Sequence, residues 1–494
     1  MPAKTVGLPE VTVARCSAVW IFAVLLAQAG FLPGRQVPIT LLHTADLQGQ
    51  LFPTADSADA PRLGGILRAA RYVNGVREAE RNVLLVDSGD SLGGAAESDA
   101  PCSLDVPLMV AAMNALAYDA VVPGDRDLGR YADRLSGVKA PVLAANLVGL
   151  EAARSHMVLQ VDGVRVVVIG LTWPGFQLRY LASSLRVGSS VEALQEIMAA
   201  IKVLEPDVIC LVAHQGVGDE AGSELRDVMR RFPEIDVVIG GHTGQIVPEA
   251  VFGDTLYAQA GAGGRRVGRI DLVWDTVARQ LIKREARLMS ISARMVEDPL
   301  LIKALEPALS EARMQIRLPV GEVTGRFQRR ISGGSSGKER LIGRAMAEMN
   351  EADVVWWDKD AVRIQEGVVT EQVLAQAIPD DEGLMRVLLT TADMREIFEE
   401  LETVGLPMIW GLKWEKDSDD VYRFTDAEGR GLNGRRRYAV VLPESLAASA
   451  DGRYPSLRRV VHQPVARLTP CAYRLRSTLR AFMEKHTPIN SADE

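Results

Sequence analysis

Between residues 37 and about 275 the chain switches repeatedly between two hydrophobic rhythms. The runs "VPITLLH", "NVLLVDSGD", "DAVVPGD", "APVLAAN", "VRVVVIGLT", "DVICLVAH", "DVVIGGH" and "RIDLVW" are rich in valine and isoleucine and too short for helices, which predicts interior strands. Segments 62–79, 105–117, 190–204 and 221–231 instead space their apolar residues as a helix face does. Strands alternating with helices predict a layered α/β domain. Residues 293–316, "ARMVEDPLLIKALEPALSEARMQI", read as a connecting helix interrupted near Pro307. A second set of elements follows, with helices at 338–349, 370–377 and 391–403 and strands at "ADVVWW" and "MRVLLT". It does not repeat the first half and marks a separate C-terminal domain.

Polar side chains recur where the predicted strands end: Asp46, Asp87 and Asp90, Asp125, His214 and His242. In α/β sheets the crevice outside the carboxyl ends of the strands is where ligands bind. A single aspartate after a strand is ordinarily a cap or a turn former. Metal-capable side chains at strand end after strand end are not explained that way.

At 494 residues the chain exceeds one ordinary core, in keeping with two domains. A formal net charge of -8 argues against a polyanion binder that needs a basic surface, so no nucleic acid is expected as partner. Small phosphorylated molecules held through a metal remain open. At the N-terminus, Lys4 and Arg15 precede the apolar run "CSAVWIFAVLLAQAG", and Ala27-Gln28-Ala29 offers the small-x-small pattern of a cleaved export signal. The run is shorter than the ~20 residues of a spanning helix; the alternative, an uncleaved anchor, would put the protein on a membrane. With Cys16 removed, Cys102, Cys210 and Cys471 remain, an odd number that cannot be fully paired within one chain. Cys210 reads as a small hydrophobe in a strand, and whether Cys102 and Cys471 pair is left open.

A two-metal hydrolase requires hard oxygen donors, imidazoles, a carboxylate that bridges both ions and an open position for water. Asp46, Asp90, Asp125, His214 and His242 supply such groups, and Asp90 in "DSGDSLGG" is the natural bridge because its glycines permit close approach. In this order, "LLHTADLQG", "LLVDSGD", "VVPGDRDLG", "LVAHQG" and "VIGGHTGQ" resemble the motif blocks of the calcineurin-like metallophosphoesterases, specifically the exported 5'-nucleotidase family. "YAQAGAGGRRVGRIDLVWD" is similar to the stretch that closes that family's catalytic domain, and residues 318 to 460 more loosely resemble its substrate domain.

The resemblance implies a four-layer αββα sandwich with a second, smaller α/β domain. The corresponding division is a signal peptide at 1–29, a catalytic domain at 37–292, a linker helix at 293–317 and a substrate domain at 318–486. It also implies that Asp46 and Gln48 serve a first metal, that Asp90 bridges, and that Asp125, His214 and His242 serve a second. The divalent ions, one or two of them, would be manganese, zinc, magnesium or calcium. Asp125 stands for the family's asparagine, and its added charge is expected to tighten cation binding. Gln48 replaces a histidine, Gly244 stands where a histidine or glutamine would complete the first site, with Gln245 adjacent, and Arg126 replaces the histidine that meets the phosphate. A guanidinium cannot act as a general acid, but it can clamp an oxyanion. The competing reading makes Arg126 a structural ion pair with Asp127 or Asp125.

On the substrate side, Arg363 in "DKDAVR" is the candidate oxyanion contact, although Asp358, Asp360 and the acidic "PDDEG" repel phosphate. Trp410, Trp414 and Tyr454 are candidates for stacking on a base, or else core residues. The expected function is an exported, periplasmic or extracellular, metal-dependent hydrolase of a small phosphate ester, nucleotides included. Two alternatives stand beside it: a degenerate relative that only binds, and a hydrolase of a sulfur oxyanion ester.

Overall fold

The computed structural model describes residues 35–54, 61–93, 102–180, 183–218, 222–325, 327, 337–357, 364, 366–378, 381–404, 408–449 and 453–490. The export-signal reading of residues 1–29 lies outside them. Among the described residues no helix is long and apolar enough to cross a membrane.

Two sheets face each other in the first region. One has seven strands, in spatial order Gln280–Ser290, Arg266–Asp275, Gln36–Thr44, Val83–Asp87, Ala120–Val121, Val142–Leu143 and Ala153–Arg154. The other has six: Ile246–Phe252, Thr255–Ala260, Val237–Ile239, Val208–Ala213, Val164–Leu171 and His156–Val161. The central strands of both are parallel, as expected for valine-rich strands buried on two faces. Ile39, Leu41, Val86, Val168, Cys210, Val212, Ile239 and Ile270 fill the space between the sheets. Each such side chain contributes roughly 1.5–3 kcal/mol on burial. Helices Ile66–Ala79 and Cys102–Leu116 cover the outer face of the seven-stranded sheet, and Ser190–Val203 with Leu225–Arg231 cover the other. The architecture is the expected αββα sandwich. Cys210 is a buried free thiol, and Cys471 is also free.

The connecting helix differs from expectation at Pro307. Helix Pro299–Gln315 is continuous, started by Asp298, whose side chain accepts from the Leu300 and Leu301 amides at 2.9 Å each. Leu301, Leu305, Leu309 and Ala312 bury one face against the first region's helices. Pro307 lies on the exposed side, where the carbonyl it leaves without an amide partner is open to water, so packing on the opposite face carries the helix through.

The second region is built on a five-stranded sheet in the order Met408–Trp410, Val354–Trp357, Tyr438–Pro443, Leu384–Leu389 and Thr469–Pro470. Val355, Trp357 and Val441 pack on helices Gly337–Met349 and Leu475–His486, while Val354, Trp356 and Val440 pack on Thr391–Val404 and Pro455–Val461. This is a second α/β layer structure with a core on each face.

Candidate metal centre

Thr44 and Asp87 lie side by side at the ends of parallel strands, and the loops that leave them stay together. The amides of Asp46, Gln48 and Gly49 donate to the carbonyls of Gly89, Asp90 and Ser91 at 2.9, 2.8 and 3.0 Å. These turns force non-glycine residues into the left-handed region: Asp46 and Gln48 at φ 50°, Asp90 at 54°, and His242, from the other sheet, at 68°. Such conformations cost about 1–3 kcal/mol each and concentrate at functional sites. Gly89, at φ 101°, sits where the loops converge; a Cβ there would lie 2.6 Å from the Gly124 nitrogen and 2.7 Å from His214 Nδ1.

Four side chains from these strand ends meet: ligand atoms of Asp90, Asp125, His214 and His242 all lie within 4.8 Å of one another. His214 Nδ1 is 2.7 Å from the Ser88 carbonyl, which can only accept, so Nδ1 carries a proton and Nε2 faces the cluster. That Nε2 is 3.5 Å from Asp90 Oδ2 and 3.3 Å from Asp125 Oδ1. His242 Nδ1 is 3.0 Å from the same Asp125 oxygen and 3.2 Å from His214 Nε2. The Trp173 ring stacks on His242 with centroids 4.5 Å apart. Gln259 Nε2 holds the Gly241 carbonyl at 3.1 Å and so fixes the turn that presents His242.

Two further carboxylates shape the loops. Asp87 accepts from Thr44 Oγ1 at 2.5 Å, the Gly89 amide at 3.0 Å and Ser91 Oγ at 2.7 Å. Asp127 accepts from the amides of Asp90, Gly124 and Leu92 at 2.8, 3.0 and 3.0 Å. Its role as a fastener of the Asp90 loop was not apparent from the sequence, where its only signal is the "DRD" spacing after a strand.

Asp46 provides the test of whether a cation fits here. It is 1% exposed, and neither carboxylate oxygen has a hydrogen-bond partner among the described residues. Its pKa is raised to about 7: burial is the largest cause, Asp90 and Asp87 add to it, and His214 and His242 oppose it. A buried carboxylate with both oxygens unpartnered is costly, and a divalent ion beside it would satisfy them. Asp125 is in the opposite condition. Burial would raise its pKa, but the imidazoles of His214 and His242, 3.3 and 3.0 Å from Oδ1, hold it well below the usual range. Burial likewise opposes charge on His214, yet Asp90 and Asp125 lift it well above an ordinary imidazole. The donor set of carboxylates and imidazoles suits a divalent transition ion.

Arg126 does not pair with Asp127 or Asp125 as one reading of the sequence had it. Its amide donates to Asp90 Oδ1 at 2.9 Å and its Nε lies 3.9 Å from Asp90 Oδ2. The charge beside Asp125 comes from Arg179, whose Nη1 donates to Asp125 Oδ2 at 3.0 Å. Arg179 sits in "WPGFQLRY", well past the end of the strand "VRVVVIGLT", and is not among the residues singled out from the strand-end pattern. Gln48 is half-buried and contributes its amide to the Asp90 loop. Gly244 and Gln245 are exposed.

The substrate candidates are dispersed. Arg363 lies outside the described residues. Trp410 packs against Gly343, where a Cβ would come within 2.5 Å of its own Cβ. Trp414 meets Phe398 edge to face at 5.3 Å, and Tyr454 borders the same Phe398 cluster on the other side of the five-stranded sheet. Trp410 packs with the core on one face of the five-stranded sheet, whereas Trp414 and Tyr454 border the Phe398 cluster on the other, so the three do not form one platform.

The paired sheets and the carboxylate and imidazole cluster at their shared edge define a metallophosphoesterase fold joined to a second α/β domain. No family model matches the chain. It is 22% identical to a snake venom 5'-nucleotidase from Naja atra, over 84% of this chain and 91% of that one. It is also 22% identical to protein UshA from Yersinia enterocolitica, over 95% and 96%. Endonuclease YhcR from Bacillus subtilis is 22% identical over 88% of this chain, which spans only 39% of that protein's length. The solved structure of a putative 5'-nucleotidase from Staphylococcus aureus shares the fold, with a TM-score of 0.67 at 18% identity over 91% and 97% of the two chains. The chain is a relative of the 5'-nucleotidases, with the calcineurin-like phosphoesterase fold.

Proposed function

We propose that the protein is a metal-dependent phosphoesterase that hydrolyses a small phosphate ester, with nucleotides the first class to test. The observation that carries the reading is the convergence of Asp90, Asp125, His214 and His242 within 4.8 Å beside the unpartnered carboxylate of Asp46. Asp90, Asp125, His214 and His242 would hold a divalent ion, and Asp46 with Gln48 would serve a second. When bound, such an ion supplies a Lewis acid for phosphoryl oxygen and activates water at neutral pH. The chain's own groups then do the rest. His214 keeps Nε2 toward the ion because Nδ1 is committed to the Ser88 carbonyl. Arg126, with its side chain 36% exposed beside Asp90, is placed to meet an anionic ester and stabilise its developing charge, and it cannot protonate the leaving group. Leaving groups that depart without a proton are therefore favoured.

The N-terminal pattern of residues 1–29 supports export, with the mature chain beginning at Gly30. A second reading, a binding protein without turnover, draws on Arg126 and Arg179, which already bring cationic charge to Asp90 and Asp125. Hydrolysis of an activated aryl phosphate and of a nucleoside monophosphate, with manganese added, separates them. Turnover abolished by Asp90→Ala supports the esterase. Absence of turnover with every divalent ion, in protein shown to bind metal, would replace it by the binding protein.

A further inference from the structure

Asp125 stands where the resembling family has a neutral asparagine, and the extra negative charge by itself should bind a cation more tightly. The structure shows that this charge is not left alone. Asp125 is fully buried, and its two oxygens face different ways. Oδ1 lies 3.3 Å from His214 Nε2 and 3.0 Å from His242 Nδ1, on the cluster side. Oδ2 takes a hydrogen bond from Arg179 Nη1 at 3.0 Å. The arginine is held by more than this bond. Its guanidinium lies over the Trp173 ring, 4.8 Å from the centroid, and that ring, 3% exposed, is itself stacked on His242. The short helix Phe176–Arg179 is anchored by Phe176, stacked on Tyr180 at 5.1 Å. Tyr180 in turn packs so closely on Gly129 that a Cβ there would come within 2.2 Å of its ring. Arg179 thus reaches one ligand directly and a second through the indole.

We propose that Arg179 is a positioning residue of the metal centre, one that occupies Asp125 Oδ2, leaves Oδ1 to the ion and offsets the aspartate's charge. The Asp125 and Arg179 pair then presents the ion with one oxygen at nearly neutral net charge, as an amide would. The proposal rests on the metal-centre reading above. It overturns the simpler expectation that Asp125 tightens cation binding through added charge, because that charge is matched across a 3.0 Å contact. It also accounts for a guanidinium rather than an ammonium here: a planar group can donate to a carboxylate while lying flat on an indole.

The test is Mn²⁺ affinity, measured by calorimetry on chelator-stripped full chain, for the wild type, Asp125→Asn, Arg179→Gln, Arg179→Lys and the Asp125→Asn/Arg179→Gln double variant. Asp125→Asn alone leaves an uncompensated cation at the site and should weaken Mn²⁺ about tenfold or more. The double variant, an amide with no guanidinium, should return to within about threefold of the wild type. Arg179→Gln should tighten Mn²⁺ about fivefold by exposing the carboxylate's charge, and Arg179→Lys should not. A merely structural arginine would weaken binding in both single variants. A double variant that binds as weakly as Asp125→Asn, or weakening by Arg179→Gln, would overturn the proposal. Should Asp125→Asn not fold, the contrast between Arg179→Gln and Arg179→Lys decides alone. Wild-type protein that takes no Mn²⁺ would remove the metal centre itself, whereas bound Mn²⁺ that Arg179→Gln fails to tighten removes only the role given to Arg179.

Discussion

Asp125 and Asp46 both follow strands of the same sheet, and at 0% and 1% exposure they are equally removed from water. Their surroundings are opposite. Asp125 is met by two imidazoles and a guanidinium and is held well below the usual carboxylate range. Asp46 has no hydrogen-bond partner on either oxygen among the described residues, and its pKa is raised to about 7, chiefly by burial. Burial alone therefore does not define a ligand; what distinguishes the two is which groups face each oxygen. The Asp125 side is organised without an ion, while the Asp46 side is the part whose charge the described protein does not balance.

The largest effect should come from the residue both sides share. Asp90→Ala removes the carboxylate next to His214 and Arg126, and turnover should fall at least about 100-fold with loss of retained metal. Near-normal turnover would break the assignment of both halves. The comparison sharpens in metal-free protein, where one substitution should have opposite signs. Asp46→Asn relieves an unpartnered carboxylate and should raise unfolding free energy by about 1–3 kcal/mol, read from urea unfolding in chelator. Asp125→Asn breaks its ion pairs and should lower it by about 1–3 kcal/mol, the low value reflecting the solvent around half-exposed Arg179. Equal signs would show that the contrast is not electrostatic.

His43, on the strand that leads to Asp46, separates burial from ligand binding. It is 0% exposed, both ring nitrogens lack hydrogen-bond partners among the described residues, and burial lowers its pKa to about 4. The unfolded chain takes up a proton below pH 6.5 and the folded one only near 4, so this residue's contribution to stability falls as pH falls between those values. His43→Phe should remove about 1.5 kcal/mol of the stability otherwise lost between pH 6.5 and 5, with or without metal. An unchanged pH slope would show that His43 is not the group responsible. The smallest effect is expected in the second region. Trp414→Leu should change KM for a nucleotide less than about twofold, since Trp414 packs on Phe398; a tenfold rise would restore it as a base platform.

How much of this could be read from sequence follows the same division. Asp90, Asp125, His214 and His242 were visible because each ends a run of valine and isoleucine, and parallel strands bring such ends to one edge. Arg179 was hidden because its contact depends on a helical turn packing across a distant loop, which no local period encodes. Arg126 is legible as a charge at the site, while the competing ion-pair reading names Asp127 or Asp125 where the neighbour is Asp90, since residues of "DRD" point to different places once a helix starts at Asp125. Pro307 misled for a physical reason too: a proline on an exposed face costs a helix less when the opposite face is buried. Trp410, Trp414 and Tyr454 are aromatic in any reading, and only tertiary packing separates core from platform.

The most direct measurement is the metal content of the chain from Gly30 onward, stripped with chelator, reconstituted with Mn²⁺ and measured by mass spectrometry against Asp90→Ala. At least one tightly held ion per wild-type chain and none in the variant is expected. Wild-type protein that retains no divalent ion, whichever is offered, would contradict it.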